Sequence, residues 1–422
     1  MSASRNFRAN KQLGLRLLEM AALGCGFSRS SDLIRQIKSE STQLKCRQKC
    51  DMAGRRIYML SKIQKFLLGH PKANAKTIAK KLFLEKSVVN KVRYEHKNVF
   101  TCDTEFAWSL LSKDLIIRFP ECSWLTSEIF EHSLSGFEVI DGPHEKVIFV
   151  VAKDCQILLE ALARLLAICN QLATKCKGTS IDFSNCRKSI GYFDRVGFFD
   201  HLDSNVSVQP YRPTSSKARA FAGNNNNVVE FRSIDPIAPD RKIPENLKDS
   251  FEVCAGENYS SAAFTILSEL FGNVQEHSGS TTAGFAALQA YGGRHPHIQT
   301  VISDNGLGIV GTLMPLLAGK YPRLFEKINS SKLDHRIELL KEVFTKGGFS
   351  RSDDDARGLG LKRSAGLAEK FKAKISVRQE TYELRVNYIR GNIQFCHSLN
   401  LTKIDGTHIC FDFLLDEATK SG

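Results

Sequence analysis

Glu269, Asn273 and His277 recur at intervals of four within Ser268-Glu269-Leu270-Phe271-Gly272-Asn273-Val274-Gln275-Glu276-His277. On a helix such residues share one edge. The amide oxygen of Asn273 suits a hard, oxygen-seeking ion such as Mg²⁺. The carboxylate of Glu269 can orient or deprotonate a water for attack on a terminal phosphate. Asp304 closes the apolar run Ile298–Ser303 and opens Asp304-Asn305-Gly306-Leu307-Gly308. A carboxylate there can accept a hydrogen bond from the exocyclic amine of adenine. Gly306 and Gly308 let the backbone approach a base and ribose without an intervening Cβ. In Arg357-Gly358-Leu359-Gly360-Leu361, Gly358 and Gly360 free backbone N–H groups for a phosphate at a helix start. Upstream, a polar, glycine-bearing segment running from Lys346 to Asp355 reads as a lid, and Lys346 counts with the nucleotide-contacting residues. Each piece has a plainer reading: a solvated helix edge, an Asn-Gly turn, a loop before a helix.

The elements that must hold these groups are legible from periodicity. Ala263, Ile266, Leu267, Leu270, Phe271 and Val274 predict a helix over 262–274, and Ile298–Ser303 a strand bounded by Pro296 and Asn305-Gly306. The glycine-rich entry leads into a helix through Leu367, Ala368 and Phe371. In this order the segments resemble the N, G1 and G2 boxes of the GHKL (Bergerat-fold) ATPase superfamily, over about residues 250–415, and Gly406–Phe413 resembles the closing Gly-Thr strand of its kinase-type members. The resemblance implies ATP and Mg²⁺ as cofactors. It implies Glu269 as the catalytic acid, Asn273 as the metal ligand and Asp304 as the adenine-binding acid. Gly306, Gly308, Gly358 and Gly360 would form the nucleotide loops. His277 matches a position often held by His in kinase-type members. The sequence departs from the family at Ala356, where one more glycine is usual. Neither the phosphoacceptor helix of sensor kinases nor the transducer domain of gyrase-like members is expected.

Charge sets the first quarter apart. Residues 1–100 carry 22 Lys+Arg against 6 Asp+Glu, a balance of +16 in a chain whose total is +14. Helices are predicted over 55–68, 75–82 and 86–96, followed by short strands within 99–111. This succession resembles a winged helix-turn-helix over 55–112, whose third helix would enter a DNA groove. DNA is the expected partner of this basic module, with a protein partner or a homodimer as alternatives. Residues 1–54 form a basic extension without an assigned role.

Between the two lie strands predicted at 145–151 and 179–183 around a helix at 155–172. The order resembles a STAS-type domain over 137–210, in which Ser184 and Ser189 are the serines near the helix start. Residues 211–249, rich in Ser, Pro and Asn, read as a linker. The expected fold class is therefore multidomain α/β (α+β): a winged-helix module, a STAS-like β-α-β layer and a Bergerat-fold sandwich.

No run of about 18 apolar residues suggests a spanning helix, and no signal-like start is visible, so a cytoplasmic protein without membrane contact is expected. The 12 cysteines form no Cys-x-x-Cys pair, which fits reduced thiols. The function expected is an ATP-binding regulator that hydrolyses slowly while it engages DNA or protein. A serine or histidine protein kinase and a non-hydrolysing nucleotide sensor remain open.

Overall fold

Asn74 caps a helix near the basic end of the chain: its side chain accepts the N–H of Thr77 at 2.8 Å. The computed structural model describes residues 59–415, except 61, 68, 97–98, 111–113, 143, 236–237, 239, 241, 258–267, 269–270, 272–282, 294, 346–372 and 390–391. All of these belong to one unit spanning 56–422. Helical residues within 59–67 precede β1 (Ala73–Asn74), α1 (Ala75–Leu82), α2 (Lys86–Glu95) and the hairpin β2 (Phe100–Cys102)–β3 (Ala107–Leu110). The strand order is β1-β3-β2. Ile63, Ile78, Val89 and Trp108 form the small core. The hairpin matches the expected strands, whereas β1 is too short to be read from periodicity.

The next layer is a parallel sheet in the order β4 (Leu115–Arg118), β6 (Lys146–Val150), β8 (Gly178–Asp182), β9 (Val206–Gln209). A two-stranded parallel pair, β5 (Trp124–Leu125) with β7 (Gln156–Ile157), lies beside it. Helices α3 (Ser127–Leu134), α4 (Leu159–Thr174), α5 (Arg187–Arg195) and α6 (Phe198–His201) complete the layer. The layer starts at Leu115, upstream of the expected 137, and residues 156–157 are strand rather than the first turn of the helix. Almost every side chain of α4 is buried, as expected of a helix enclosed on all sides.

What encloses α4 on the far side is an antiparallel seven-stranded sheet. Its order is β10 (Val228–Ile234), β11 (Gly284–Tyr291), β12 (His297–Ser303), β16 (Ile404–Leu414), β13 (Ala373–Glu380), β14 (Tyr382–Ile389), β15 (Asn392–Ser398). The expected linker 211–249 is thus corrected. It carries α7 (Lys217–Ala220), the edge strand β10 and the start of α8 (Lys242–Ala255). Loop-forming residues masked the short apolar run Val228–Ile234 that pairs with β11. Side chains alternate across this sheet. Phe285 and Ala287 join the core around α4, while Ala286 and Leu288 join a second core with α8, α9 (Gly308–Leu313), α10 (Leu317–Lys320), α11 (Pro322–Ser330) and α12 (His335–Thr345). Mixed α/β architecture with several sheets is therefore observed. Among the described residues no helix is long and apolar enough to cross a membrane.

A buried ionic cluster joins α3 and α4 to β13 and β14. Arg164, 1% exposed, reaches Glu131 at 2.8 Å, Glu160 at 2.6 Å and Glu383 at 2.5 Å. Arg378 binds Glu131 at 2.9 Å, and Arg385 binds Glu383 at 2.8 Å and also Glu128. Burial alone would raise Glu383, but the Arg164 and Arg385 guanidiniums hold it below the ordinary value. His408 sits against the same cluster. Burial, then Arg378 and Arg164, push it down to about 3.

Two outcomes are expected. Arg164→Met leaves three carboxylates without their shared cation and should cost about 3–5 kcal/mol of unfolding free energy by urea titration. A loss below about 1 kcal/mol would mean the cluster is solvated. For His408, the folded value lies below the ordinary 6.5, so the unfolded chain takes up the extra proton. Its effect on stability is therefore absent above pH 6.5 and becomes a loss as pH falls toward 3, reaching about 2 kcal/mol at pH 5. His408→Gln should flatten that part of the stability–pH profile, and an unchanged slope would contradict the assignment.

Candidate functional site

Asp304 follows the last residue of β12 and is 7% exposed. Its N–H donates to the Thr407 carbonyl at 2.9 Å, continuing the β12–β16 ladder one step past the strand end. Its Oδ1 accepts the N–H groups of Gly306 at 2.6 Å and Thr407 at 3.3 Å. Burial raises this carboxyl above its ordinary value, and the Gly306 and Thr407 bonds only partly offset the shift. The result is a buried carboxyl at the end of β12 held by Gly306 and Thr407.

The turn after Asp304 depends on two glycines. Gly406 has φ +91°, and a Cβ there would come within 1.9 Å of the Asp304 carbonyl oxygen. The Gly-Thr pair of β16 is thus what allows the two strand ends to close. Gly308 has φ +73°, and its Cβ would lie 2.8 Å from Gln379 Nε2. Gln379 Nε2 donates to Thr407 Oγ1 at 3.0 Å, and its Oε1 accepts from Tyr382 Oη at 2.8 Å and from the Val310 N–H at 3.4 Å. Gln379 and Thr407 therefore brace the Asp304 loop from β13 and β16. Sequence reasoning missed Gln379, because a glutamine inside an alternating strand carries no local signal.

A second brace comes from the parallel layer. Gln171, near the C-terminal end of α4, donates to Asn305 Oδ1 at 3.0 Å and to the Asp405 carbonyl at 2.9 Å, and accepts the Asp405 N–H at 2.9 Å. At the other end of α4, Leu158 gives no side-chain cap. The Leu159 N–H donates instead to Tyr291 Oη at 2.8 Å, and the Glu160 N–H to Gln299 Oε1 at 3.3 Å. Both partners belong to the seven-stranded sheet.

Of the expected site residues, Asp304, Gly306 and Gly308 stand together in this loop. Glu269, Asn273, Lys346, Gly358 and Gly360 lie outside the described residues, as does His277. Ser268 and Phe271 are helical, and Phe271 is buried against the sheet core. Among the described residues no group of three or more His, Cys, Asp or Glu could hold a metal ion. In the parallel layer Ser184 is exposed, whereas Ser189 is buried and donates to the Cys155 carbonyl at 3.0 Å, which leaves it unsuited to accept a phosphoryl group. Comparison with family models, curated proteins and solved structures finds no match to this chain.

Gly406→Ala should lower the urea midpoint by an amount equivalent to at least about 3 kcal/mol, because the new Cβ meets backbone rather than a movable side chain. Gly293→Ala, also at positive φ but in open space, should cost about 1 kcal/mol. Equal losses in the two variants would show that strand closure at Asp304 is not tight.

Proposed function

We propose that the chain is an ATP-binding regulatory protein with a Mg²⁺-ATP site of the GHKL type within residues 250–415. It hydrolyses ATP slowly and couples the nucleotide to DNA or protein binding through its other modules. The observation that carries this reading is the buried Asp304 at the end of β12, locked to the Gly-Thr pair of β16 and followed by Gly306 and Gly308. Such a carboxylate is suited to an uncharged donor like the adenine amine. The antiparallel sheet with helices α8, α9 and α12 on one face supports a Bergerat-type sandwich. The strand order β1-β3-β2 around α1 and α2 supports a winged helix at the basic end. The parallel β4-β6-β8-β9 layer with α4 and α5 is compatible with the STAS-like reading.

In this mechanism Asp304 takes the adenine amine, and the glycines let backbone approach the base. Asn273 would hold Mg²⁺, and Glu269 would position the attacking water. Lys346, Gly358 and Gly360 would meet the phosphates. The metal supplies neutralisation of phosphate charge.

Calorimetric titration of the full chain should give saturable ATP binding that weakens without Mg²⁺. Asp304→Asn should weaken it by about 10- to 100-fold. Phosphate release abolished by Glu269→Ala identifies an ATPase. Transfer of the γ-phosphate to a protein would replace that reading with a kinase, and binding with neither outcome would replace it with a sensor. A folded sample indifferent to millimolar ATP and ADP would overturn the whole proposal.

A further inference from the structure

Outside the Asp304 loop, the molecule carries a cavity of about 700 Å³. It opens at the carboxyl ends of β6 and β8, where the segments 153–157 and 184–189 leave the parallel sheet. Crevices at such strand ends are the usual ligand sites of parallel sheets, and this volume suits a small molecule.

The walls divide by chemistry. Trp124, Tyr192 and Tyr291 give an aromatic side, with Trp124 edge-on to Tyr291 at a centroid distance of 5.8 Å. Trp124 is 44% exposed although the next residue, Leu125, is fully buried. The mouth carries Lys153, Arg187 and Lys188, all exposed, against the single carboxylate of Asp154. None of the three cations pairs with a carboxylate among the described residues. Arg187 and Lys188 form the first turn of the nine-residue α5, whose positive end adds to their field.

Gln289 from the seven-stranded sheet lies in the wall beside Tyr291. An aromatic slot and an excess of two positive charges describe an aromatic ring joined to an anion.

We infer that this cavity is a second ligand site that binds a small molecule made of a heteroaromatic ring and a phosphate group. The ring lies against Trp124 and the two tyrosines. The phosphate meets Lys153, Arg187 and Lys188. The site is separate from the Asp304 loop. Tyr291 pairs with His297 at the start of β12, whereas Asp304 follows its end, a separation of about 20 Å along the strand. Because Gln289 and Tyr291 come from the seven-stranded sheet and the remaining lining residues from the parallel layer and its loops, an occupant would tie the two together.

Trp124 supplies the test. The only other tryptophan, Trp108, is 2% exposed in the N-terminal core, so a ligand in the cavity changes the Trp124 signal. The full-length chain is titrated with adenosine and guanosine 5′-monophosphate while tryptophan emission and melting temperature are followed. At least one should give saturable quenching below about 1 mM and a raised melting temperature. Arg187→Glu/Lys188→Glu, two exposed changes that leave the fold intact, should weaken binding at least about tenfold. Asp304→Asn should leave it unchanged, which separates failure here from failure of the ATP site. Guanosine, adenosine or inorganic phosphate alone should bind far more weakly. The proposal is overturned if neither monophosphate saturates by about 10 mM, or if the double variant binds as well as the parent. It is equally overturned if Asp304→Asn abolishes the quenching.

Discussion

The side chain of Arg164 is the constraint on which the rest of the described fold turns. It lies near the middle of a largely apolar helix, with one carboxylate from α3, one from its own helix and one from β14 around it. Arg378 shares Glu131 with it, and Arg385 shares Glu383. Taking these ions out of water is costly, and only near-complete pairing offsets the loss. The pairing is directional, whereas the leucines and alanines of α4 could pack in more than one register. The cluster therefore selects one placement of α4 on β13 and β14. It also explains why Ser127 and Ser376 both donate to Glu160: the carboxylate needs its remaining lone pairs filled.

With its register fixed, α4 behaves as a strut. Its 16 residues give a rod of about 24 Å. One end is capped by Tyr291 and Gln299 from the seven-stranded sheet, and Gln171 near the other end holds Asn305 and Asp405. A helix end enclosed without its own cap residue must find donors and acceptors elsewhere, and here the neighbouring sheet provides them. Any displacement of the 304–308 loop consequently acts on α4, and through α4 on the parallel layer packed behind it.

These features explain which parts were legible. The periodic segments were: α1, α2, β6, β8 and β12 fall close to the expected bounds because their apolar spacing is strong and local, whereas β16 was expected only from the family resemblance. Asp304, Gly306 and Gly308 were singled out because residue type and strand-end position coincide, and they share one loop in the structure. The covered face of the large sheet was not. Ser376, Arg378, Glu383 and Arg385 alternate with apolar neighbours, which is the pattern of a strand wetted on one side. Only the tertiary partner, α3 with α4, turns that polar face inward. Strand β10 was lost in a polar, asparagine-rich stretch, and Gln171 and Gln379 act through contacts far away in sequence.

The contrast between buried acids carries the functional argument furthest. Glu131, Glu160 and Glu383 are each within reach of a guanidinium, so their charge is answered inside the fold. Asp304 is also buried, yet among the described residues no Lys or Arg pairs with it, and the groups that approach it are the N–H of Gly306 and the N–H and hydroxyl of Thr407. Stability alone does not favour such a group, since a neutral side chain would avoid the desolvation that raises its pKa. The fold nonetheless commits Gly406, Thr407 and Gln379 to holding this carboxylate and its turn in place. A costly, unneutralised acid with a dedicated scaffold fits the proposed recognition of a hydrogen-bond donor. Neutral donors serve this better than cations, because a cation would recreate the closed pairs already found around Arg164.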